Sequence, residues 1–332
     1  MNEYTISIMI TNECNLKCKY CYVRQLSKDR KNFLSIEGTD HIINFLIKTY
    51  KSDDKLTFNF IGGEPLLNYE VIDYFIKKIK VSFKDTQFML TTNGLLLNNT
   101  LINKLINHFY NTLTISLDGD MNTHLKNRVG CSVEDYKILL NNALLLNNKM
   151  DKLRIRMTIT KETTEYLFNN IRYLINLGFN IIVPVLDFTD INYDHNDISK
   201  LSKEINKIKL FFNTNDIAKI KFRGVNGEIQ NLNKCDAGCS SFCIDSKGDI
   251  YPCSSAIDEN LKIGDIYNGI DLNKINNLNK INNIPLKECE GCLLYEECLS
   301  PRCKLINYVT MGDYFKPNLA HCIHMNAISQ GE

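Results

Sequence analysis

Three cysteines near the N-terminus, Cys14, Cys18 and Cys21 in the run CNLKCKYC, are the residues whose type and spacing carry the clearest chemistry. An iron-sulfur cube held by protein alone takes four thiolates, so three at this tight spacing leave one iron open to a small molecule. The same trio also suits a zinc site completed from elsewhere in the chain, or a redox pair made of Cys18 and Cys21. The last third of the chain holds nine more cysteines. Cys235, Cys239, Cys243 and Cys253 surround CIDSKGDIYPC, Cys289, Cys292, Cys298 and Cys303 form CxxCxxxxxCxxxxC, and Cys322 follows near the end. A total of 13, an odd number, points to clusters, metals or catalysis more than to a disulfide framework.

These residues need elements to position them. Apolar, β-branched runs at 4–11, 55–61, 87–92, 112–117, 153–160 and 180–186 read as six strands, each bounded by turn or charged residues. Between them lie segments with helical spacing, such as Ile42, Phe45, Leu46 and Thr49, or Ile72, Phe75, Ile76 and Ile79. The alternation predicts an α/β fold with a parallel sheet covered by helices and with its site at the strand ends. Periodicity alone fits a doubly wound sheet as well as a barrel. Lys247-Gly248 reads as a β-hairpin turn, and 273–283 as a connecting loop or short helix.

Downstream of the first trio lie IGGEPLLN (61–68), TTNG (91–94) and SLDGD (116–120), each at the end of a strand-like run. With CNLKCKYCYV they resemble, in motif, order and spacing, the radical S-adenosylmethionine (SAM) enzymes. That resemblance implies a partial (β/α)6 TIM-like barrel with the cluster loop after the first strand. It implies a 4Fe-4S cluster on Cys14, Cys18 and Cys21 whose open iron is chelated by SAM. SAM contacts carry over to Tyr20 beside the adenine, to Gly62, Gly63, Glu64 and Pro65 around the methionyl ammonium, and to Ser116 and Asp118. Arg128 is a candidate for the SAM carboxylate. A plain β-α turn for the glycines, a packed ring for Tyr20, a turn-forming Asp118 and an ion-paired Arg128 are the competing readings.

The later cysteines resemble the SPASM extension of radical SAM peptide-modifying enzymes, in CDAG at Cys235, GDIYPC ending at Cys253 and the CxxCxxxxxC core. The resemblance implies residues 1–225 as the partial barrel and 226–332 as a SPASM domain with two auxiliary 4Fe-4S clusters. The first would use Cys235, Cys253 and Cys303, completed by Cys239 or Cys243. The second would use Cys289, Cys292, Cys298 and Cys322. Four residues separate Cys298 from Cys303 where the usual pattern has three. Zinc ribbons compete for these thiols, and His321 and His324 are alternative ligands to a thiolate. Cys131 reads as a packing residue, with hydrogen donation to a substrate radical as its functional alternative.

Auxiliary clusters suit a reaction in which a substrate radical loses an electron. The expected activity is therefore oxidative modification of a ribosomally made peptide, by thioether or carbon-carbon crosslinking. Formylglycine formation in a sulfatase and peptide epimerisation are the alternatives. The sulfatase-maturing branch has an acid after the hairpin cysteine, whereas Ser254 follows Cys253 here. Expected partners are a peptide or protein substrate, a reductant such as flavodoxin or ferredoxin, and a separate leader-binding protein, since the chain begins at the first barrel strand. A formal charge of +1 with 23% charged and 44% hydrophobic residues argues against nucleic-acid binding. No signal-like or membrane-spanning run is visible, which predicts a cytoplasmic enzyme.

Overall fold

The structure is a computed structural model that describes residues 2–26, 32–214, 219–220 and 236–330. Cys235 and the expected boundary between residues 225 and 226 lie outside the described residues. The chain forms two compact units, each assembled from separate stretches of sequence. The first comprises 1–15, 22–92 and 235–283, and the second comprises 16–21, 93–234 and 284–332.

In the first unit, strands β1 (Glu3–Thr11), β2 (Lys55–Gly62) and β3 (Asp85–Thr92) run parallel, with β2 in the middle. The last six residues of β1 are all buried, as expected for a strand covered on both faces. Phe58 and Phe60, two apart on β2, share one face and meet Phe75 edge-on at 5.0 and 5.5 Å between ring centres. Ile72, Phe75, Ile76 and Ile79 of helix Tyr69–Ser82 are fully buried, as their spacing predicts. In helix Ile36–Thr49, Ser35 caps the Gly38 N–H, and Ile42, Phe45 and Leu46 are buried. Thr49 is exposed instead, its hydroxyl donating back to the Phe45 carbonyl.

In the second unit, β4 (Leu113–Ser116), β5 (Arg154–Ile159) and β6 (Ile181–Leu186) are parallel neighbours in that order. Thus all six expected strands form, with bounds shifted by two residues at most. Helix His195–Thr214 buries Leu201, Ile205 and Ile208 and packs against the last helix, Leu319–Ser329.

The cysteine-rich third is divided between the units. In the first, β7 (Ser241–Ile244) pairs parallel with β1 and antiparallel with β8 (Asp249–Tyr251). The turn between β7 and β8 is the expected Lys247-Gly248 hairpin, closed by Gly248 N–H donating to the Asp245 carbonyl at 3.1 Å. The Asn-rich segment is helical over Leu272–Asn283. In the second unit, buried Asn318 ties the C-terminal segment down: its Nδ2 donates to Phe188 O at 2.8 Å and to Thr310 Oγ1 at 3.0 Å, and its backbone N–H donates to Asn307 Oδ1 at 3.0 Å. Among the described residues no helix is long and apolar enough to cross a membrane.

Candidate active site

Each motif falls where a strand ends, and the backbone explains why glycine is needed at the second. Gly62 and Gly63 close β2 against the start of the cysteine loop. Gly63 N–H donates to Thr11 O at 2.9 Å and Glu64 N–H to Glu13 O at 2.8 Å. A Cβ on Gly63 would lie 2.2 Å from Glu13 O, and one on Gly62 2.3 Å from Thr11 O, where φ is also +153°. The room these glycines leave is thus filled by the chain's own backbone, which fixes residues 11–13 ahead of Cys14.

Glu64 is 1% exposed, and its Oε1 accepts from Leu66 N–H at 3.1 Å and from the Thr92 hydroxyl at 2.7 Å. Pro65, also buried, opens the single turn 65–68 that follows. Thr92, in the TTNG motif, was not singled out by the sequence reading, although it orients this carboxylate.

In the second unit, residues 16–21 are strapped to the segment after helix Met121–Asn127. Lys17 N–H donates to Val129 O at 2.7 Å and Lys19 N–H to Asn127 O at 3.0 Å. Between those straps lies a buried assembly built on Asp118. Arg128 donates from Nε to Asp118 Oδ2 at 3.1 Å and from Nη2 to Oδ1 at 3.0 Å. Thr158 N–H adds a bond to Oδ1 at 3.0 Å, and the Tyr20 hydroxyl one to Oδ2 at 2.6 Å. Arg128 also lies over the Tyr20 ring at 5.4 Å and turns Nη1 toward Cys18 Sγ at 3.9 Å. Arg128, the candidate for a SAM carboxylate, therefore already holds Asp118 with two of its nitrogens. Asp118, the candidate SAM contact, has both oxygens engaged by protein donors, and Ser116 lies buried at the end of β4.

Burial alone would raise the Asp118 carboxyl. The fields of Arg128 and His124 and the hydrogen bonds from Arg128 and Thr158 outweigh it, holding the group below the usual carboxylate range. Burial pushes the Cys18 thiol up, opposed by Arg128 and reinforced by Asp118 and Cys21. His124, which the sequence reading passed over, accepts the Asp118 backbone N–H at Nδ1 and is depressed to about 3 by burial and by Arg128. It is a neutral prop under the assembly. Burial pushes the half-buried Cys131 thiol up to about 11, which keeps it protonated.

The later thiols are grouped within each unit. Cys243 and Cys253 lie on the hairpin, where burial pushes Cys243 far up and Cys253 adds to the shift. Cys239 is exposed, its Sγ 3.6 Å from Asn279 Oδ1. In the second unit Cys298 feels Cys322, Cys289 and Cys292, and burial with those neighbours pushes it up to about 11. Cys289 and Cys322 are raised by burial and also feel Cys292. Cys303 precedes helix Lys304–Met311. All twelve described cysteines are free thiols, and among the described residues no three His, Cys, Asp or Glu side chains are arranged as metal ligands. The donor set is soft thiolate, which suits iron-sulfur clusters, and the thiols are held within reach of one another's fields.

A model of the radical SAM superfamily matches residues 8–150. A cysteine-type anaerobic sulfatase-maturating enzyme of Clostridium perfringens is 24% identical over 316 residues, 86% of this chain and 84% of its own. An uncharacterized protein of Methanocaldococcus jannaschii is 24% identical over 307 residues, 87% and 94% of the two chains. Among solved structures, native anSMEcpe with bound AdoMet has a TM-score of 0.77 at 18% identity, covering 98% of this chain and 96% of that one. Streptococcus suis SuiB bound to precursor peptide SuiA has a TM-score of 0.66 at 18% identity, covering 96% and 75%. These likenesses show the fold, the mixed α/β partial barrel with a cysteine-rich C-terminal segment. Residues 8–150 thus carry a radical SAM domain, and the chain is an enzyme.

Proposed function

We propose that this enzyme cleaves SAM reductively and uses the resulting radical to modify a ribosomally synthesised peptide oxidatively, by a thioether or carbon-carbon crosslink. One observation carries the oxidative reading. The radical SAM motif accounts for only Cys14, Cys18 and Cys21, yet the C-terminal segment carries further soft donors in Cys289, Cys292, Cys298 and Cys322, whose thiols feel one another's fields. When bound, SAM and the first 4Fe-4S cluster supply a 5′-deoxyadenosyl radical that takes hydrogen from carbon. A crosslink then requires a further electron to leave the substrate, and auxiliary clusters are suitable acceptors.

The chain's own residues bind and orient. Cys14, Cys18 and Cys21 are the proposed ligands of the SAM cluster. Glu64, held through Oε1 by Thr92 and Leu66, accepts the methionyl ammonium of SAM. Tyr20 is pinned through its hydroxyl to Asp118, so its ring is set as a wall for the adenine. Asp118 serves SAM indirectly, by holding Tyr20 and Arg128 in place. Cys235, Cys253 and Cys303, with Cys239 or Cys243, are the proposed ligands of the first auxiliary cluster. Cys289, Cys292, Cys298 and Cys322 are those of the second.

The bound peptides named for SuiB and for anSMEcpe with the Kp18Cys peptide support a peptide partner. A flavodoxin- or ferredoxin-like reductant and a separate leader-binding protein complete the proposed set of partners. Formylglycine formation is the second reading, favoured by the long alignment with sulfatase-maturating enzymes. Ser254 after Cys253 weighs against it.

The test is anaerobic reconstitution with iron and sulfide, followed by dithionite, SAM and cysteine-containing peptides in heavy water. 5′-Deoxyadenosine should form and vanish in Cys18→Ala. A peptide that loses two hydrogens supports crosslinking. Solvent deuterium uptake at an α-carbon without mass loss would replace it with epimerisation, and conversion of a sulfatase cysteine to formylglycine would favour the second reading.

A further inference from the structure

In the first unit, the end of β1 is flanked by a short extended segment, 32–35, that runs antiparallel to it through the pair Thr11 and Phe33. Asn12 N–H donates to Asn32 O at 3.2 Å and Leu34 N–H to Ile10 O at 2.9 Å. Leu34 is buried, and its carbonyl accepts from Asn68 Nδ2 at 2.8 Å. Because the bonds to β1 come from the residues on either side of Phe33, its own N–H and C=O are turned to the opposite, outer edge. Ser35, still extended at φ −84° and ψ 165°, turns its N–H to that same edge. The Ser35 carbonyl is already used, accepting Thr39 N–H at 2.9 Å to start helix Ile36–Thr49. Among the described residues, Phe33 N–H, Phe33 C=O and Ser35 N–H have no hydrogen-bond partner.

The edge therefore presents a donor, an acceptor and a donor in a row. Its side chains are not those of a solvated loop: Phe33 is 47% exposed and the adjoining Ile36 44%. A cavity of about 300 Å³ opens at the same segment, lined by Leu34, Ser35 and His41 together with Lys247 and Tyr267 from the two turns that follow β7 and β8. His41 meets the Tyr267 ring edge-on at 5.5 Å. Alternating donors and acceptors along an extended edge match another extended backbone, which offers the complementary groups at the same spacing. Residues 10–12 lead into Cys14, so the edge adjoins the cysteine loop. A strand added outside 33–35 would lie about 10 Å from the end of β1, two strand spacings of ~4.8 Å.

We propose that the outer edge of residues 33–35 captures the substrate peptide as an added strand, with backbone pairing supplying affinity and the cavity beside Ser35 taking one of its side chains. This rests on the reading that the enzyme acts on a peptide.

The experiment selects binders to the anaerobically reconstituted full chain from a pool of short random-sequence peptides, which backbone recognition should tolerate, and follows amide hydrogen exchange with and without each binder. Exchange at Phe33 and Ser35 should slow by about tenfold or more on binding. Phe33→Pro deletes the outward N–H and leaves both bonds to β1, and should weaken binding by about fivefold. Phe33→Ala, which deletes the ring and keeps the N–H, should retain the protection at Ser35. Peptide-free cleavage of SAM to 5′-deoxyadenosine should be the same in Phe33→Pro and wild type. If Phe33→Pro loses that cleavage, N-methylation of the peptide decides on the wild type: one methylated amide should weaken binding while its two sequence neighbours do not, and equal effects at all three overturn the proposal. A pool without binders, binders that leave Phe33 and Ser35 unprotected, or equal affinity for Phe33→Pro and wild type also overturn it. Protection that grows with protein concentration alone, together with a dimer in sedimentation, assigns the edge to a second copy of the chain and overturns it too. A peptide that protects the edge yet is left unmodified by SAM and dithionite supports the docking and counts against the crosslinking reading. A peptide crosslinked equally by Phe33→Pro and wild type does the reverse.

Discussion

The Asp118–Arg128 pair offers the sharpest test of how the SAM side of the protein is held. The Asp118 side chain is 0% exposed and that of Arg128 7%, and the carboxylate accepts four hydrogen bonds from Arg128, Thr158 and Tyr20. Asp118→Asn keeps the shape and an acceptor for the Thr158 N–H but leaves a buried guanidinium with no counter-charge. Breaking a buried pair in this way costs about 3–5 kcal/mol. The Tyr20 ring lies under Arg128 in the wild type as well, so its cation–π attraction offsets none of this loss. Arg128→Met should cost a similar amount by stranding the carboxylate. The double variant Asp118→Asn/Arg128→Met buries no unpaired charge and should be clearly less destabilised than the sum of the two singles. Anaerobic urea denaturation of the four proteins gives the coupling energy directly. Either single variant within about 0.5 kcal/mol of the wild type, or a double variant that merely adds the singles, would refute the reasoning.

Three further outcomes follow. Gly63→Ala places a methyl group 2.2 Å from Glu13 O, a backbone atom that cannot swing aside, and should destabilise by about 1–3 kcal/mol or more, measured by the denaturation midpoint. Gly38→Ala, whose nearest contacts at 3.1 and 3.2 Å are the Leu34 and Ser35 side chains in a helix that would gain an alanine, should instead be near neutral. His124 is held down to about 3 by burial and by Arg128, against an ordinary value of 6.5. Between those values the unfolded chain binds the extra proton, so the stabilisation is complete above the ordinary value and drains away as pH falls. The wild type should lose about 2 kcal/mol from this group between pH 7 and pH 5, and His124→Gln should flatten that slope in denaturation curves taken at both pH values. Equal slopes would show that the imidazole does not stay neutral.

The sequence by itself determined the strands and the motifs they carry. Ile8, Phe58, Leu90, Ile115, Ile155 and Ile182 sit in runs that only a covered parallel sheet accommodates, and all six strands formed where the pattern put them. The thiol spacings of CNLKCKYC and CxxCxxxxxC were equally legible, because ligands on one loop are close in sequence by necessity. What only the tertiary structure decided are relations between residues far apart in the chain. Gly63 meets Glu13, Thr92 meets Glu64, Tyr20 and Thr158 converge on Asp118, and Cys289 feels the fields of Cys292 and Cys322. The fate of a charged side chain belongs to the same class. Arg128 was legible as a SAM-carboxylate candidate or an ion-pair member without its partner, and Lys304 looks in sequence like any solvated basic residue, yet both are buried, one against a carboxylate and the other without one. Burial depends on what packs above a residue, and no local pattern of side chains encodes that.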